Sequence, residues 1–327
     1  MRRLALLRVG GLLAVIAALA PAHAQTDSPK NFPDKPIHLF VGYAAGGSND
    51  LVARAFASKL SDDLSQPVIV EYKTGAAGML AVQHVVRALP DGYTLLFAAS
   101  SMFTSNPVIY KKIPYSSSDV LPISTVVTYP FFVIVNASRP IQSFGELIEH
   151  IKAEPKNANA SGAAGVHQLA LELFKSQTGA PVEFIPYRST SEAINAVIAG
   201  EALMTFADTA GASGALRGGL VRALAVTSPK RLASCPDIPT VAELGYPGLE
   251  MASWMGLVAP AGTPMPIVKK LQEEVNRIVA MQDFKNRMSS LQVNPEGSTS
   301  EQFADLIGSD LARWRAAAKA GNIQPAE

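Results

Sequence analysis

The feature that most constrains the fold is an alternation of short apolar segments with helical stripes, joined by turns rich in glycine. Residues 37–43 predict a strand, and residues 50–60 predict a helix with one apolar stripe. The same order returns in a predicted strand at 68–72 and a predicted helix at 79–89. Strands that are apolar throughout are typical of parallel sheets covered by helices on both faces. The sequence therefore predicts an α/β fold.

This alternation continues along the rest of the chain. We predict further strands over 94–98, 131–135, 182–185, 202–206 and 221–226, and helices over 144–152, 167–177, 191–199, 264–279 and 300–319. The length of 327 residues is enough for about two domains. An apolar fraction of 48% with only 17% charged residues favours folded cores over disorder.

The first 24 residues have the features of a secretory signal. A basic start, MRRLALLR, precedes an apolar run over 9–20, which is short for the roughly 30 Å of hydrocarbon in a bilayer. The small residues of the following AHA motif suit a signal peptidase, so we expect cleavage after Ala24 and a periplasmic protein. An uncleaved membrane anchor is the alternative.

The charge balance and the cysteine count exclude several function classes. The chain has 28 basic and 27 acidic residues, and losing the three arginines of the signal leaves 25 against 27, a net charge of −2. This balance disfavours nucleic-acid binding, which requires a basic excess. A single cysteine, Cys235, excludes an intrachain disulfide, and no two histidines have metal-binding spacing. We therefore predict neither a metal nor another cofactor.

Three glycine-rich turns precede predicted helices, at 45–48, 75–78 and 162–165. In an open α/β sheet, ligands bind beyond the carboxyl ends of the strands. Without large side chains, the backbone N–H groups of a helix start can approach an anion directly. The turns therefore indicate an anion site, to which Ser100 and Ser101 add hydroxyl groups after the third strand. The alternative is that glycine and alanine only permit tight turns.

Signals for an enzyme are weaker than signals for a binding protein. Neither G-x-S-x-G nor G-x-G-x-x-G occurs. His167 is a candidate general base, and Asp50 and Asp208 are a candidate acid–base pair. Each also has an ordinary role, because a polar residue suits the first turn of a helix and the helix dipole favours acids there. Since no nucleophile–base arrangement can be assembled, we predict that the protein is not an enzyme.

Several segments, in their order and spacing, resemble one family of binding proteins. They are YAAGGSNDLVAR at 43–54, VEYKTGAAG at 70–78, PDGYTLL at 90–96, PDIPTVAELG at 236–245 and APAGTP at 259–264. From about Phe32 to its end, the chain resembles the tripartite tricarboxylate transporter substrate-binding proteins, also called Bug receptors. The resemblance implies a two-lobed periplasmic binding protein of type II-like fold, with the ligand cleft between lobes. Each lobe is then a mostly parallel sheet flanked by helices.

The resemblance also implies an organisation and a role. Lobe 1 comprises 25–128 plus 253–327, lobe 2 comprises 129–252, and two strands cross between them. The ligand is a small organic acid, either a di- or tricarboxylate or an aromatic carboxylate, which a monomeric receptor delivers to the membrane carrier subunits of a tripartite importer. A ligand-sensing subunit for a membrane signalling kinase is the alternative, and a periplasmic enzyme is a more remote one.

Carried over by resemblance, the ligand-binding residues lie in the turns of both lobes. On the first lobe they are Tyr43, Ala45, Gly46, Gly47, Ser48, Asp50, Ser100 and Ser101, and on the second Gly162, Ala163, Ala164, Gly165, Val166 and Asp208. Gly165 departs from the family, which has a hydroxyl residue there, so this chain has room for a bulkier ligand or a water. Phe103 and Phe206 either stack on an aromatic acid or belong to the core.

Overall fold

The computed structural model describes residues 32–46, 48–163, 165–187, 189–232 and 234–325. The predicted signal segment with its cleavage after Ala24 lies outside these residues, as do Gly47 and Ala164 of the predicted site. Among the helices of the described ranges, none combines the length and apolar character needed to cross a membrane.

Strands and helices alternate along most of the described chain. The strands are β1 (Ile37–Val41), β2 (Val68–Tyr72), β3 (Thr94–Ala99), β4 (Val120–Asn136), β5 (Asn159–Ala163), β6 (Glu183–Tyr187), β7 (Met204–Asp208), β8 (Val221–Val226), β9 (Ala252–Pro260) and β10 (Asn294–Pro295). The helices are α1 (Ser48–Leu64), α2 (Met79–Val86), α3 (Ser100–Phe103), α4 (Asn106–Ile109), α5 (Phe144–Ala153), α6 (Val166–Thr178), α7 (Thr190–Ala199), α8 (Thr209–Arg217), α9 (Met265–Ala280), α10 (Gln282–Ser290) and α11 (Ser300–Ala320).

The strands form two regions of one continuous sheet. In the first lobe the order is β2-β1-β3-β9-β4, with β10 on the other edge of β4. β1 is parallel to both β2 and β3, so their carboxyl ends share one edge of the sheet. In the second lobe the order is β6-β5-β7-β4, with β8 on the other edge of β4, and β5 is parallel to both of its neighbours. The predicted α/β fold is confirmed, and its sheet is mixed. The pairs of β1 and β5 are parallel, whereas the pairs of β4 and the pair of β3 with β9 are antiparallel.

The long strand β4 joins the two lobes. Its residues 120–130 pair with β9 in the first lobe, and its residues 131–136 pair with β7 and β8 in the second. β9 runs antiparallel beside the first part, and the residue before it, Met251, donates its N–H to the carbonyl of Thr227 in the second lobe. These two strands therefore cross between the lobes side by side.

Helices cover both faces of each sheet region. Phe56 of α1 and Phe97 of β3 belong to the core on one face of the first sheet, and Leu96 and Met102 belong to the core on the other. The second sheet is likewise buried on both faces, by separate clusters of apolar side chains. Burial on both faces explains why these strands are apolar throughout rather than alternating.

The last helix contributes to both lobes. Phe303 and Ile307 near the start of α11 lie in a first-lobe core, whereas Trp314 and Ala317 near its end lie in the second-lobe core. Residues 253–327 therefore do not serve the first lobe alone. The division of the chain at 128/129 and 252/253 remains a prediction, with α11 as an element that spans it.

The prediction was wrong for the segment around Gly162. Gly162 and Ala163 lie inside strand β5, not in a turn after it. The small residue is needed there because a Cβ on Gly162 would lie 2.6 Å from the Cβ of His167 on α6 and 2.9 Å from the ring of Phe184. Glycine therefore lets α6 and β6 approach the strand closely. The sequence alone does not show this reason, because glycine is also common in turns.

Candidate functional site

Asp50, in the first turn of α1, fixes the first-lobe turn, which joins the end of β1 to the start of that helix. This aspartate is only 3% exposed, and its carboxylate accepts hydrogen bonds from three groups. Gly46 N donates at 2.7 Å, Arg54 Nε at 2.7 Å and the Tyr72 hydroxyl at 2.5 Å. The carboxylate thus ties the turn to the first two turns of α1 and to the end of β2.

The hydrogen bonds to Asp50 also set its protonation state. Burial acts to raise the pKa of the carboxyl group, but the hydrogen bonds from Tyr72, Gly46 and Arg54, together with the positive charge of Arg54, lower this pKa below its usual value. Asp50 is therefore a carboxylate at neutral pH, and both of its oxygens are already used within the protein. It positions the turn rather than offering a free charge to a ligand.

A pair of hydroxyl groups connects the turns that follow β1 and β3. The hydroxyl groups of Tyr43 and Ser101 lie 2.7 Å apart, and the Tyr43 hydroxyl also lies 3.4 Å from the carbonyl oxygen of Ala77. Burial raises the pKa of Tyr43, while the hydrogen bond with Ser101 lowers it only in part. The phenol is therefore neutral at physiological pH and able to donate a hydrogen bond.

The remaining first-lobe residues of the predicted site differ in exposure. Ala45, Gly46 and Ser48 are exposed at the surface of the turn, and Gly46 has a φ of +90°. Ser100 is buried at the start of α3, where its carbonyl accepts hydrogen bonds from both the backbone and the hydroxyl of Thr104. Among these described residues, Ser100 is thus buried and Ser101 is half-buried, whereas the residues after β1 are exposed.

The second-lobe turn, which joins the end of β5 to the start of α6 and includes Gly165, is built from small residues. Gly165 has a φ of +87°, and no side chain caps the start of α6. A Cβ on Gly165 would lie 3.1 Å from Ile109 of α4 in the first lobe. The N-terminus of the 13-residue α6 therefore approaches the other lobe closely at a residue without a side chain.

Asp208 occupies the start of α8 at the end of β7. Its carboxylate accepts a hydrogen bond from Gly211 N at 2.7 Å, which makes it the N-cap of the helix. The next residue, Thr209, donates its hydroxyl hydrogen to the carbonyl oxygen of Gln292 in the first lobe at 2.7 Å. The end of β7 is thus joined to the other lobe by a hydrogen bond beside Asp208.

A small cavity lies where the two lobes meet the crossing strands. Its volume is about 120 Å³. It is lined by Ser100, Ser101, Thr104, Ser105, Tyr129, Val166, Ala252, Ser253 and Trp314. We call this space the hinge cavity. Hydroxyl groups predominate in its lining, and the described part of its wall has no charged side chain. Such a wall binds polar oxygen atoms by hydrogen bonds without a strong ion pair.

Sequence reasoning missed Tyr129 and Ser253 as residues of this cavity. They lie opposite each other on β4 and β9, at the crossing between the lobes. Burial raises the pKa of the Tyr129 hydroxyl, the negative charge of Asp208 raises it further, and a hydrogen bond with Ser253 acts in the opposite direction. Their positions in the sequence could have indicated them, since both hydroxyl residues lie directly beside the predicted lobe boundaries.

The structure brings together only part of the predicted site. Ser100, Ser101 and Val166 share the hinge cavity, and Tyr43 joins them through Ser101. Asp208 is close enough to affect Tyr129 electrostatically. Ala45, Gly46, Ser48, Gly162 and Gly165 are not in the described wall of this cavity, and their contact with ligand remains a prediction, as does that of Gly47, Ala163 and Ala164.

Two aromatic candidates and the histidine belong to the protein interior. Phe103 lies edge-to-face on Tyr115 at 5.7 Å between ring centroids, and Phe206 lies edge-to-face on Phe174 at 6.1 Å. His167 is buried on α6 and lies edge-to-face on Phe131 at 5.9 Å. The interpretation of the two phenylalanines as core residues is therefore the correct one.

The fold and this site define a class of protein. Two α/β lobes joined by crossing strands, with a hydroxyl-lined cavity at the junction, form a binding protein of the type II periplasmic class. The chain matches the model of the tripartite tricarboxylate transporter family receptors over residues 52–323, and it belongs to that family.

Individual relatives align with this chain over most of their length, and solved structures among them share its fold. The protein BugT of Bordetella pertussis is 31% identical, and the alignment covers 94% of each chain. A structure of an R. palustris protein with adipate has a TM-score of 0.77 at 28% identity, covering 90% of this chain and 100% of the other. MatC from Rhodopseudomonas palustris, solved with bound malate, has a TM-score of 0.71 at 27% identity, covering 88% and 99%. The resemblance of the sequence to this family is thereby confirmed.

Proposed function

We propose that the protein is a solute receptor that encloses a small organic acid between its lobes and delivers it to the membrane carrier subunits of a tripartite importer. The observation that carries the proposal is the hinge cavity, because Ser100 and Ser101 of one lobe face Val166 of the other there. A ligand in this position contacts both lobes and the strands that join them, so its binding energy favours the closed arrangement.

The chemistry of the wall supports a carboxylate. Serine, threonine and tyrosine hydroxyl groups donate hydrogen bonds to carboxylate oxygens, and the N-terminus of α6 adds backbone N–H groups that favour an anion. No lysine or arginine lies in the described wall. Recognition without a bidentate ion pair holds the acid by geometry and still permits its release to a carrier. Relatives solved with adipate and malate agree with this class of ligand.

Thermal unfolding against a panel of acids tests the binding step. The panel contains mono-, di- and tricarboxylic acids and aromatic acids, and the matched controls are the primary amides of the same acids. A ligand present at 100 times its Kd stabilises the folded state by about 2.7 kcal/mol. We expect a rise in Tm with at least one acid and none with its amide, and native mass spectrometry reveals any acid retained during purification. A protein that binds no acid and retains none contradicts the proposal.

A pair of serine variants localises the binding. Ser101→Ala removes the hydroxyl that bonds to Tyr43 and lines the hinge cavity, and we expect it to weaken acid binding about 10-fold. Ser58→Ala, on the exposed face of α1, is the control and leaves the affinity unchanged. Equal affinities of both variants and the unmodified protein would place the ligand elsewhere.

Delivery, export and oligomeric state are separate parts of the proposal. We expect uptake of the same labelled acid at low concentration to require this protein. The exported protein should begin at Gln25, after cleavage behind Ala24, and should be a monomer by analytical ultracentrifugation. Uptake that persists without the protein would contradict the transport role and leave the binding result intact.

A further inference from the structure

A groove larger than the hinge cavity also lies between the two lobes. Its main part has a volume of about 760 Å³, with the segment 228–232 after β8 on one wall and the segment 294–298 at β10 on the other. A smaller part of about 120 Å³ continues it toward α10, because Leu232 and Asn294 line both parts. We call the two parts together the interlobe groove.

The two walls of the interlobe groove belong to different lobes. Leu232 lies in a second-lobe core, whereas Val293 lies in a first-lobe core. Within the smaller part, the hydrogen bond from Thr209 to the carbonyl oxygen of Gln292 joins the walls. The spacing of the walls therefore depends on the arrangement of the lobes.

The interlobe groove and the hinge cavity lie on opposite faces of the crossing strand β4. Tyr129 lines the hinge cavity, whereas its neighbours Thr128 and Pro130 line the groove. Successive side chains of a strand point to opposite faces. Ala252 of β9 borders both spaces, as expected of a residue that separates them. Bending of these strands therefore changes the widths of the groove and of the hinge cavity in opposite senses.

Basic side chains outnumber acidic ones in the described lining of the interlobe groove. The cations are Lys230 and Arg231 of the second lobe and Lys285 of the first, and the one acid is Glu296. Arg231 is paired with Glu243, which lies outside the lining. Lys230 and Lys285 are exposed and have no ion-pair partner among the described residues. Because the mature chain is predicted to have a net charge of −2, this basic excess is local.

Uncharged polar side chains occupy the space between these charges. They include Thr128, Ser228, Ser234, Asn294 and Gln302. Their hydroxyl and amide groups both donate and accept hydrogen bonds, as the N–H and C=O groups of a peptide require. The groove is concave, so it suits an acidic peptide segment better than the plane of a membrane surface.

We propose that the interlobe groove docks an acidic segment of a membrane carrier subunit. This inference rests on the proposed function and adds the surface and the chemistry by which a carrier recognises this receptor. Carboxylates of the segment pair with Lys230 of one lobe and Lys285 of the other. Since the spacing of these lysines depends on the arrangement of the lobes, docking responds to whether an acid is bound.

The first experiment uses hexaglutamate as the probe for the segment. Its binding to the mature protein is measured by fluorescence anisotropy at low ionic strength, with hexaglutamine as the uncharged probe. We expect hexaglutamate alone to bind, and salt to weaken it. The double variant Lys230→Glu, Lys285→Glu should weaken this binding at least about 10-fold. The double variant Lys112→Glu, Lys156→Glu has the same net charge, with both exposed lysines outside the groove, and should bind as the unmodified protein does.

A variant of opposite sign sharpens this result. Glu296→Gln removes the described acid of the lining and retains an acceptor for the hydroxyl of Thr128, which now donates to Glu296 at 2.9 Å. We expect it to strengthen hexaglutamate binding about 2-fold at low ionic strength. Weaker binding by Glu296→Gln would contradict an anionic occupant.

The second experiment measures docking in cells. The acid of the thermal panel that raises the Tm most is labelled, and its uptake is measured at low concentration. With the variant Lys230→Glu, Lys285→Glu we expect uptake to fall at least about 10-fold, while the purified variant is stabilised by the acid as before. The pair Lys112→Glu, Lys156→Glu should support normal uptake.

Three outcomes overturn the inference. If both double variants weaken hexaglutamate binding or uptake equally, overall charge and not the groove is the cause. If the reversal at Lys230 and Lys285 also abolishes stabilisation by the acid, these lysines act on acid binding and not on docking. If the mature protein binds vesicles of phosphatidylcholine with phosphatidylglycerol through these lysines but does not bind hexaglutamate, the groove contacts a membrane. A protein that binds hexaglutamate in the groove but binds no acid is a different result, because it contradicts the proposed function itself.

Discussion

The turns that precede α1 and α6 are both rich in glycine, yet they are held in different ways. In the first-lobe turn, a buried carboxylate collects hydrogen bonds from Gly46, Arg54 and Tyr72. In the second-lobe turn no side chain caps α6, and Gly162 of the preceding strand β5 allows close packing against His167 instead. One turn is fixed by charge and the other by shape.

This difference predicts different responses to mutation and to pH. A turn fixed by a carboxylate depends on the protonation of that carboxylate, whereas a turn fixed by packing depends on volume alone. The first lobe therefore has a preorganised polar turn, and the second lobe contributes a closely fitting backbone surface.

The largest effect is expected at Asp50. Asp50→Asn removes the negative charge that Arg54, Tyr72 and Gly46 share, and it should lower the free energy of unfolding by about 1.5–3 kcal/mol. Urea unfolding at pH 7 measures this, with the exposed Asp62→Asn on the same helix as the control. Equal losses in the two variants would show that the first-lobe turn is not held by its carboxylate.

The difference in stability between the natural chain and Asp50→Asn should depend on pH. The pKa of Asp50 is lowered in the folded state, so its contribution to stability is present above the unfolded pKa of about 3.9 and is lost as the pH falls through the lower folded value. The difference in the free energy of unfolding between the natural chain and Asp50→Asn should be constant above about pH 5 and shrink below pH 4. A difference that persists unchanged in acid would mean that charge is not its cause.

Substituting alanine at Gly162 and at Gly46 compares the cost of close packing with the cost of a left-handed backbone conformation. Gly162→Ala places a Cβ 2.6 Å from that of His167, and we expect a loss of about 1–3 kcal/mol from overpacking. Gly46→Ala meets nothing within 4 Å but must adopt a φ of +90°, so we expect a loss of about 1 kcal/mol. Urea unfolding of both variants measures the order, and the reverse order would contradict the distinction between the turns.

The smallest expected effect concerns the bond between lobes. Thr209→Val keeps the shape and removes the hydrogen bond to the Gln292 carbonyl, a loss of about 0.5–1.5 kcal/mol in the closed arrangement. Acid affinity should therefore fall by no more than about 10-fold, with little change in the unfolding of either lobe. Thr190→Val, at the first position of α7, is the control. An unchanged affinity would mean that this hydrogen bond does not stabilise the closed arrangement.

Much of the fold was predictable because burial on both faces leaves a simple pattern. The strand over 221–226 was predicted with the bounds that the structure has. The sequence did not predict β9 or the full length of β4. Pro122, Pro130 and the polar residues of β4 interrupt the apolar run, and pairing with β9 stabilises the strand in spite of them.

The candidate site was predictable only in part. Turns after strands are local features, so Ser100 and Ser101 were found. Tyr129 and Ser253 are register partners on β4 and β9, which are far apart along the sequence. No local sequence pattern marks either residue. The hydrogen bonds of Asp50 and the unpaired amide of Asn49 were also hidden, because two adjacent polar residues at a helix start look alike until their partners are known.

The sequence by itself determined the alternation of strands and helices, the class of fold and the family, because periodicity and short motifs are properties of neighbouring residues. Only the tertiary structure decided that Asp50 is satisfied while Asn49 is not, that Gly162 serves packing, and that α11 enters both cores. The physical reason is that hydrogen-bond satisfaction and close packing depend on groups distant in sequence, which meet only when the sheet is assembled.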